Sequence, residues 1–112
     1  MTTQKHCFAL DLKDDIELIS AYKKQHLQVW PEIISSIKAT GIIVMDLYII
    51  GNRLFMIMEV DANFSFEKKA AMDLQNPVVT KWEELMWTFQ QALPWATPGE
   101  KWMLMEKIFE LP

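Results

Sequence analysis

The sequence contains few of the residues that disulfides, metal sites and phosphate-binding loops require. Its 112 residues include one cysteine, two histidines and three glycines. The single cysteine, Cys7, excludes an internal disulfide and a cysteine-based zinc site, and the histidines lack the spacing or the clustered carboxylates of a metal site. The glycines are isolated from one another, so no glycine-rich loop is present to bind a phosphate. We therefore expect neither a metal nor a nucleotide cofactor.

Long apolar runs and an excess of positive charge are also absent. No apolar stretch approaches the roughly 20 residues that cross a membrane, and the polar residues 1–6 show no signal-peptide pattern. With 11 basic and 15 acidic residues, the formal net charge is −4. The sequence thus lacks the basic surface that binds nucleic acid or an anionic membrane. We expect a cytoplasmic protein that has neither of these as a partner.

Apolar residues, by contrast, are abundant. Hydrophobic residues make up 51% of the chain, which contains five tryptophans and eight methionines. A chain of this length and composition is typical of one folded domain, here 1–112. The ordinary interpretation of the methionines is an adaptable core, and it fits most of the tryptophans as well. The more specific interpretation is a pocket with aromatic walls, because indole rings stack on the apolar face of a sugar.

The spacing of apolar residues predicts an alternation of strands and helices. Strands are predicted at 6–12, 42–50, 53–61 and 101–111. Helices are predicted at 14–26, 31–40, 67–74 and 78–93. Asp14, with Glu17 three residues on, is the expected N-cap of the first helix, and Gly41 is expected to end the second. This order is that of the ferredoxin-like α+β fold, a split βαβ unit with a four-stranded antiparallel sheet and helices on one face.

The predicted strand 53–61 is apolar on both of its sides. Phe55 and Ile57 point to one face of the sheet, and Met56 and Met58 point to the other. Since the helices cover one face, the second face needs another cover, and a second copy of the chain is the simplest. We predict a homodimer in which two sheets pack face to face, as a dimeric α/β barrel.

His26 is the most distinctive candidate for chemistry. It ends a predicted helix four residues after Tyr22, so both side chains leave the same helix face. The helix dipole stabilises a protonated histidine at this end, which would suit a general acid. Trp30 begins the next helix and could line the same space. In the alternative, which the pattern alone favours, His26 caps the helix and Tyr22 packs in the core.

A carboxylate beside a buried tryptophan is the second candidate. Trp82 lies on the apolar stripe of a predicted helix, so Glu83 lies at the border of that stripe. Glu83 could enter a pocket, or it could be a solvated helix residue, which is the commoner case. Asp46 and Glu59 each stand alone in an apolar strand and could lie at a solvent edge or in a pocket.

Residues 22–32 resemble the Tyr-x-x-x-His-x-x-x-Trp-Pro-Glu motif of the L-rhamnose mutarotase family, and the likeness extends over nearly the whole chain. The resemblance implies a dimeric ferredoxin-like domain that interconverts the α and β anomers of a 6-deoxy-hexose without a cofactor. It also implies that His26 is the proton donor, that Tyr22 binds the sugar, and that Trp82 is the first of two adjacent tryptophans that hold it.

The chain departs from this family pattern at two positions. The second tryptophan of the pair is Glu83, and a tyrosine of the second strand is Met45. Segments 51–55 and 98–102 resemble a branch associated with L-fucose, which differs from L-rhamnose at C2 and C4. A buried carboxylate can accept hydrogen bonds from two neighbouring hydroxyls, and an indole cannot. We therefore predict a preference for L-fucose over L-rhamnose.

Mutarotation needs a proton delivered to the ring oxygen and a proton removed from the anomeric hydroxyl, which general acid–base groups can do. The predicted catalytic residues are His26 as the acid and Glu83 as the base, although Glu83 could instead bind hydroxyls. The predicted substrate-binding residues are Tyr22, Trp30, Met45 and Trp82. Two alternatives are a small monooxygenase on the same dimeric fold and a ligand-binding module without enzymatic activity.

Overall fold

The computed structural model describes residues 3–112. Within them, the strands are β1 (Gln4–Leu12), β2 (Ile42–Ile50), β3 (Arg53–Val60), β4 (Gln90–Gln91) and β5 (Met103–Leu104). The helices are α1 (Ile16–Gln25), α2 (Pro31–Ala39), α3 (Phe66–Leu74) and α4 (Pro77–Trp87). The single domain over 1–112 stays a prediction, and its first two residues lie outside the described ones.

The strands form one antiparallel sheet in the order β2-β3-β1-β4, with β5 also paired to β1. The β1–β3 register places Leu10 opposite Leu54. A two-residue turn, Gly51 and Asn52, joins β2 to β3, and Gly51 has a φ of 58°, in the left-handed region that favours glycine. This strand order, with a helix pair in each crossover, confirms the predicted ferredoxin-like α+β fold.

Local sequence signals mark the start of α1 and the end of α2. The carboxylate of Asp15 caps α1, since its Oδ1 accepts hydrogen bonds from the backbone N–H groups of Glu17 and Leu18 at 2.9 and 3.0 Å. The prediction of Asp14 as the cap is therefore wrong, because the cap is the next residue, Asp15. As predicted, Gly41 lies just beyond α2 with a φ of 100°.

The helix α4 is shorter than the predicted helix 78–93. It ends at Trp87, and the chain pairs with β1 as β4 three residues later. Phe89 and Leu93, which continue the helical spacing, are buried in the structure, but from non-helical backbone. The pattern therefore indicated burial correctly. It did not indicate the end of the helix, because the C-cap, Thr88, is neither glycine nor proline.

The predicted final strand, 101–111, is present only as the short strand β5. Residues 105–112 form no regular secondary structure. Three apolar side chains in this C-terminal segment, Ile108, Phe109 and Leu111, are 89%, 72% and 80% exposed. Alternating apolar residues predict a strand but not how far it follows its partner. The backbone N–H of Met105 still donates to the Cys7 carbonyl of β1, and after it the segment makes no backbone hydrogen bond to the described part of the chain.

The hydrophobic core lies between the helices and one face of the sheet. Its main cluster joins the sheet to α1, α2 and α4, and consists of Leu12, Tyr22, Ile33, Leu54, Val79, Trp82, Met86 and Phe89. A smaller cluster consists of Ile42, Met58 and Val60. Because alternate residues of a strand point to opposite faces, burial of Leu54, Met58 and Val60 leaves Phe55 and Ile57 on the far side of the sheet.

That far side belongs to neither cluster. It presents the apolar side chains of Ala9, Tyr48, Ile50, Phe55 and Ile57, which we name the outer sheet face. Ile50 is 82% exposed and Tyr48 is 56% exposed. The sheet is therefore apolar on both sides, as predicted, with helices on one of them.

Two features are absent from residues 3–112. No helix is long and apolar enough to cross a bilayer. No group of three or more His, Cys, Asp and Glu side chains lies close enough together to hold a metal ion.

Replacement of Leu12 by alanine tests the assignment of the core. Leu12 is fully buried, so Leu12→Ala should lower the free energy of unfolding by about 2–5 kcal/mol, from lost apolar burial and the cavity left behind. The matched control is Leu74→Ala, since Leu74 is 85% exposed and its loss should change stability by about 0.5 kcal/mol or less. Urea denaturation at one fixed protein concentration measures both changes. Equal changes would contradict the assignment.

Candidate functional site

A cavity of about 780 Å³ opens between the helices and the core-facing side of the sheet. Side chains from all four helices and from β1, β2 and β3 line it. Most of these are apolar, and Phe8 and Met56 are examples. The predicted site residues that line it are Tyr22, His26, Met45, Trp82 and Glu83. The cavity thus brings five of the six predicted site residues together.

His26 is the C-cap of α1, and its ring orientation is fixed by a backbone contact. Its Nδ1 lies 2.9 Å from the carbonyl oxygen of Tyr22, one turn earlier. A carbonyl oxygen only accepts hydrogen bonds, so Nδ1 is the donor and bears a proton. This leaves Nε2 as the ring nitrogen that can gain or lose a proton. The imidazole ring also packs on the Tyr22 ring, with 4.5 Å between centroids.

Tyr22 is buried and makes one side-chain hydrogen bond. Its hydroxyl accepts from Nε2 of Gln90 at 3.1 Å, and its ring contacts the ring of Phe89. Burial raises the pKa of Tyr22 to about 12, since desolvation disfavours the phenolate more than the Gln90 hydrogen bond stabilises it, and the charge of Glu83 acts in the same direction as burial. Tyr22 is therefore a neutral phenol, and its own O–H remains available to donate.

The two predicted tryptophans contact each other, but they do not play the same part in the cavity. Trp82 lines it and meets the ring of His26 edge to face, with 5.9 Å between centroids. Trp30, the N-cap of α2, is not among the lining residues. Its ring packs edge to face against Trp82, with 5.1 Å between centroids. Trp30 thus supports the wall that Trp82 forms, instead of lining the space as expected.

Glu83 lies at the exposed edge of the cavity and has a cationic partner. Its Oε2 accepts a hydrogen bond from Nζ of Lys101, and its side chain is 49% exposed. Lys101 also lies over the ring of Trp87, 5.0 Å from the centroid. The expected buried carboxylate is therefore wrong, since Glu83 is half exposed and ion-paired. Sequence analysis missed Lys101 because it lies 18 residues further along the chain, beyond any local pattern.

Met45 contributes apolar surface to the cavity. It lies on β2 opposite Met58 and packs against the smaller core cluster. The two strand carboxylates considered from sequence, Asp46 and Glu59, do not line the cavity. Glu59 accepts a hydrogen bond from Oγ1 of Thr3 at 2.8 Å. Both carboxylates therefore lie outside the site.

The site combines a few polar groups with apolar walls. It offers an imidazole with one free nitrogen, a neutral phenol, a buried amide from Gln90 and an ion pair at the edge. Such a set can bind a small molecule through its hydroxyls and move a proton at one position. Sequence analysis did not identify Gln90, because the predicted helix 78–93 gave it no role.

Sequence comparison identifies the relatives of the chain. Residues 5–111 match the family model of L-rhamnose mutarotase. An L-fucose mutarotase of Xanthomonas campestris pv. campestris is 42% identical, over 99% of this chain and 90% of its own length. A UPF0734 protein of Dictyostelium discoideum is 36% identical, over 92% of this chain and 86% of its own length.

Two solved structures share the fold of this chain. A crystal structure of an L-rhamnose mutarotase from Formosa agariphila superposes with a TM-score of 0.71 at 24% identity, over 97% of this chain and 99% of that one. Tetracenomycin F2 cyclase from Streptomyces glaucescens superposes with a TM-score of 0.58 at 13% identity over the same shares. The family model spans nearly the whole chain, and a relative is 42% identical across it. The chain therefore belongs to the L-rhamnose mutarotase family and is a sugar mutarotase, an isomerase.

Proposed function

We propose that this mutarotase exchanges the α and β anomers of L-fucose, with L-rhamnose as the weaker substrate, and that His26 is its acid–base residue. The observation that carries the role of His26 is its Nδ1–H bond to the Tyr22 carbonyl inside the cavity. The choice of L-fucose is supported by the relative named L-fucose mutarotase, which is 42% identical.

The reaction begins with protonation of the sugar's ring oxygen. Nε2–H of the His26 imidazolium gives its proton to this oxygen, the bond from C1 to the ring oxygen breaks, and the anomeric hydroxyl passes its proton to solvent water as the aldehyde forms. Rotation about the C1–C2 bond turns the other carbonyl face to the former ring oxygen. That oxygen attacks C1 and returns its proton to Nε2, while the aldehyde oxygen takes a proton from water to become the new anomeric hydroxyl. General acid–base catalysis of this kind contributes about 10²–10⁴-fold.

The neighbours of His26 keep this nitrogen in position. The Tyr22 carbonyl fixes the proton on Nδ1, so the exchangeable proton belongs to Nε2. Tyr22 and Trp82 contact the ring on two sides, and Trp30 supports Trp82. In the proposal, Tyr22 binds a sugar hydroxyl, while Trp82 and Met45 contact the apolar parts of the sugar.

Glu83 is assigned to hydroxyl binding, in preference to proton removal. Its Oε2 is engaged by Lys101, its Oε1 makes no hydrogen bond among the described residues, and solvent reaches the side chain. A carboxylate and an ammonium side by side supply an acceptor and a donor to neighbouring hydroxyls. We propose that Glu83 and Lys101 bind the sugar together at the edge of the cavity.

The chain is further proposed to be a cytoplasmic homodimer. The cytoplasmic location is supported by the composition and the single cysteine. The dimer is supported by the outer sheet face, which is apolar and belongs to neither core cluster, and by the exposed apolar side chains of the C-terminal segment. A second copy of the same face would bury these surfaces.

Replacement of His26 by asparagine tests its role. Asparagine can donate to the Tyr22 carbonyl from the position of Nδ1 but cannot exchange a proton, so His26→Asn should lower anomer exchange at least 10²-fold while the protein stays folded. Saturation transfer between the anomeric protons of L-fucose, and separately of L-rhamnose, measures exchange. Circular dichroism checks the fold. Exchange at the wild-type rate would make His26 a structural residue.

Replacement of Glu83 by glutamine separates its two possible roles. If Glu83 binds hydroxyls, Glu83→Gln should raise KM for L-fucose by roughly tenfold with kcat little changed. The reason is that the variant would bind the substrate and the transition state more weakly by the same amount. A collapse of kcat with KM unchanged would instead identify Glu83 as the base. Glu84→Gln is the matched control, since Glu84 is the adjacent exposed carboxylate and does not line the cavity.

Introduction of a charge on the outer sheet face tests the dimer. The wild-type protein should sediment at about twice the 13.2 kDa monomer mass at micromolar concentration. Ile50→Lys should shift it to the monomer, because the lysine charge would be buried in the interface. Leu74→Lys should leave the dimer intact, since Leu74 is equally exposed but lies on α3. A monomeric wild type, or identical behaviour of the two variants, would contradict the proposal.

A further inference from the structure

The side chain of Gln90 has one end bonded and the other end without a partner. Gln90 begins β4, is 3% exposed and lines the cavity. Its Nε2 donates to the Tyr22 hydroxyl at 3.1 Å. Its Oε1 is buried and is the one such side-chain atom, within residues 3–112, that has no hydrogen-bond partner. Buried polar atoms are normally paired, so this oxygen requires an explanation.

The direction of the amide does not affect this observation. If the amide were turned by 180°, its oxygen would accept from the Tyr22 hydroxyl, and its nitrogen would be the atom without a partner. In either orientation, one end of the amide bonds to the Tyr22 hydroxyl and the other end is buried and unpaired, in a residue that lines the cavity.

A purely structural role does not account for the residue. Methionine has nearly the same length and shape and would fill the space without burying an unpaired oxygen. The polar end of Gln90 therefore suits a ligand in the cavity better than it suits the packing of the core.

We propose that Gln90 is a specificity-determining residue, which accepts a hydrogen bond from a sugar hydroxyl while it orients Tyr22 to donate to the neighbouring one. This inference rests on the proposed function and adds a residue to its site. The Tyr22–Gln90 pair offers a donor and an acceptor side by side, with 3.1 Å between the bonded atoms. Two adjacent ring hydroxyls complement such a pair, since each can both donate and accept.

This pairing would distinguish between epimers. A sugar with one of the two hydroxyls inverted leaves the buried Oε1 unpaired, and sites built on hydrogen bonds reject such a ligand strongly. L-Fucose and L-rhamnose differ in the configuration of hydroxyl-bearing carbons, so Gln90 contributes directly to the choice between them.

Gln90→Met tests the inference, with Gln91→Met as the matched control on the neighbouring exposed residue of β4. Gln90→Met should fold, weaken L-fucose binding by about tenfold and narrow the preference between L-fucose and L-rhamnose, because a bond to one hydroxyl is lost. Gln91→Met should change neither the affinity for L-fucose nor the preference between the two sugars. Sugar binding is measured by saturation-transfer difference NMR or calorimetry, which report on Gln90 even if the wild type exchanges no anomers. Failure of the proposed function is thereby distinguished from failure of this inference.

Gln90→Asn is the second variant, in case the methionine does not fold. It keeps an amide but withdraws it by one methylene, so sugar binding should again weaken. Tyr22→Phe, alone and combined with each Gln90 variant, completes a double-mutant cycle on sugar binding. The losses of affinity caused by the two single substitutions should not add in the double variant, because the two side chains act as one unit. Unchanged affinity and unchanged sugar preference in Gln90→Met, or in Gln90→Asn if the former is unfolded, would overturn the proposal.

Discussion

Burial of Tyr22 connects the stability of this fold with its chemistry. Its ring belongs to the main core cluster with Leu12 and Leu54, which are sheet residues. Its backbone carbonyl accepts the Nδ1–H of His26, and its hydroxyl accepts from Gln90. The packing that fixes α1 on the sheet therefore also fixes the orientation of the imidazole and the position of the amide. A shift of α1 would disturb all three together.

The apolar walls of the cavity make its few polar groups more effective. Hydrogen bonds are stronger where water is excluded, and unpaired groups there are more costly. The same desolvation keeps Tyr22 neutral, with its pKa near 12, so it acts as a hydrogen-bond donor and not as a base. In the proposed mechanism, discrimination between sugars then depends on which hydroxyls find partners, and His26 does the acid–base work.

Local patterns predicted those features that local geometry determines. The spacing of four residues brought Tyr22 and His26 to one helix face, and the Gly51-Asn52 turn produced the hairpin of β2 and β3. Gln90 was not predicted because the helical spacing of buried residues continues past the real end of α4. Lys101 was not predicted because a contact between residues 18 positions apart depends on the path of the chain.

The ion pair of Glu83 and Lys101 combines a structural contact with the binding role proposed for it. The Lys101 side chain is 16% exposed and that of Glu83 is 49% exposed, so Glu83 neutralises a largely buried ammonium while its own carboxylate stays open to solvent. By the resemblance read from the sequence, Glu83 takes the place of a tryptophan, so the ion pair would replace an apolar wall by an acceptor and a donor. The ammonium of Lys101 also lies over the ring of Trp87, so it contacts an indole and the Glu83 carboxylate together. In the proposed function, such a site retains the proton chemistry of His26 and differs in the groups that recognise the sugar hydroxyls.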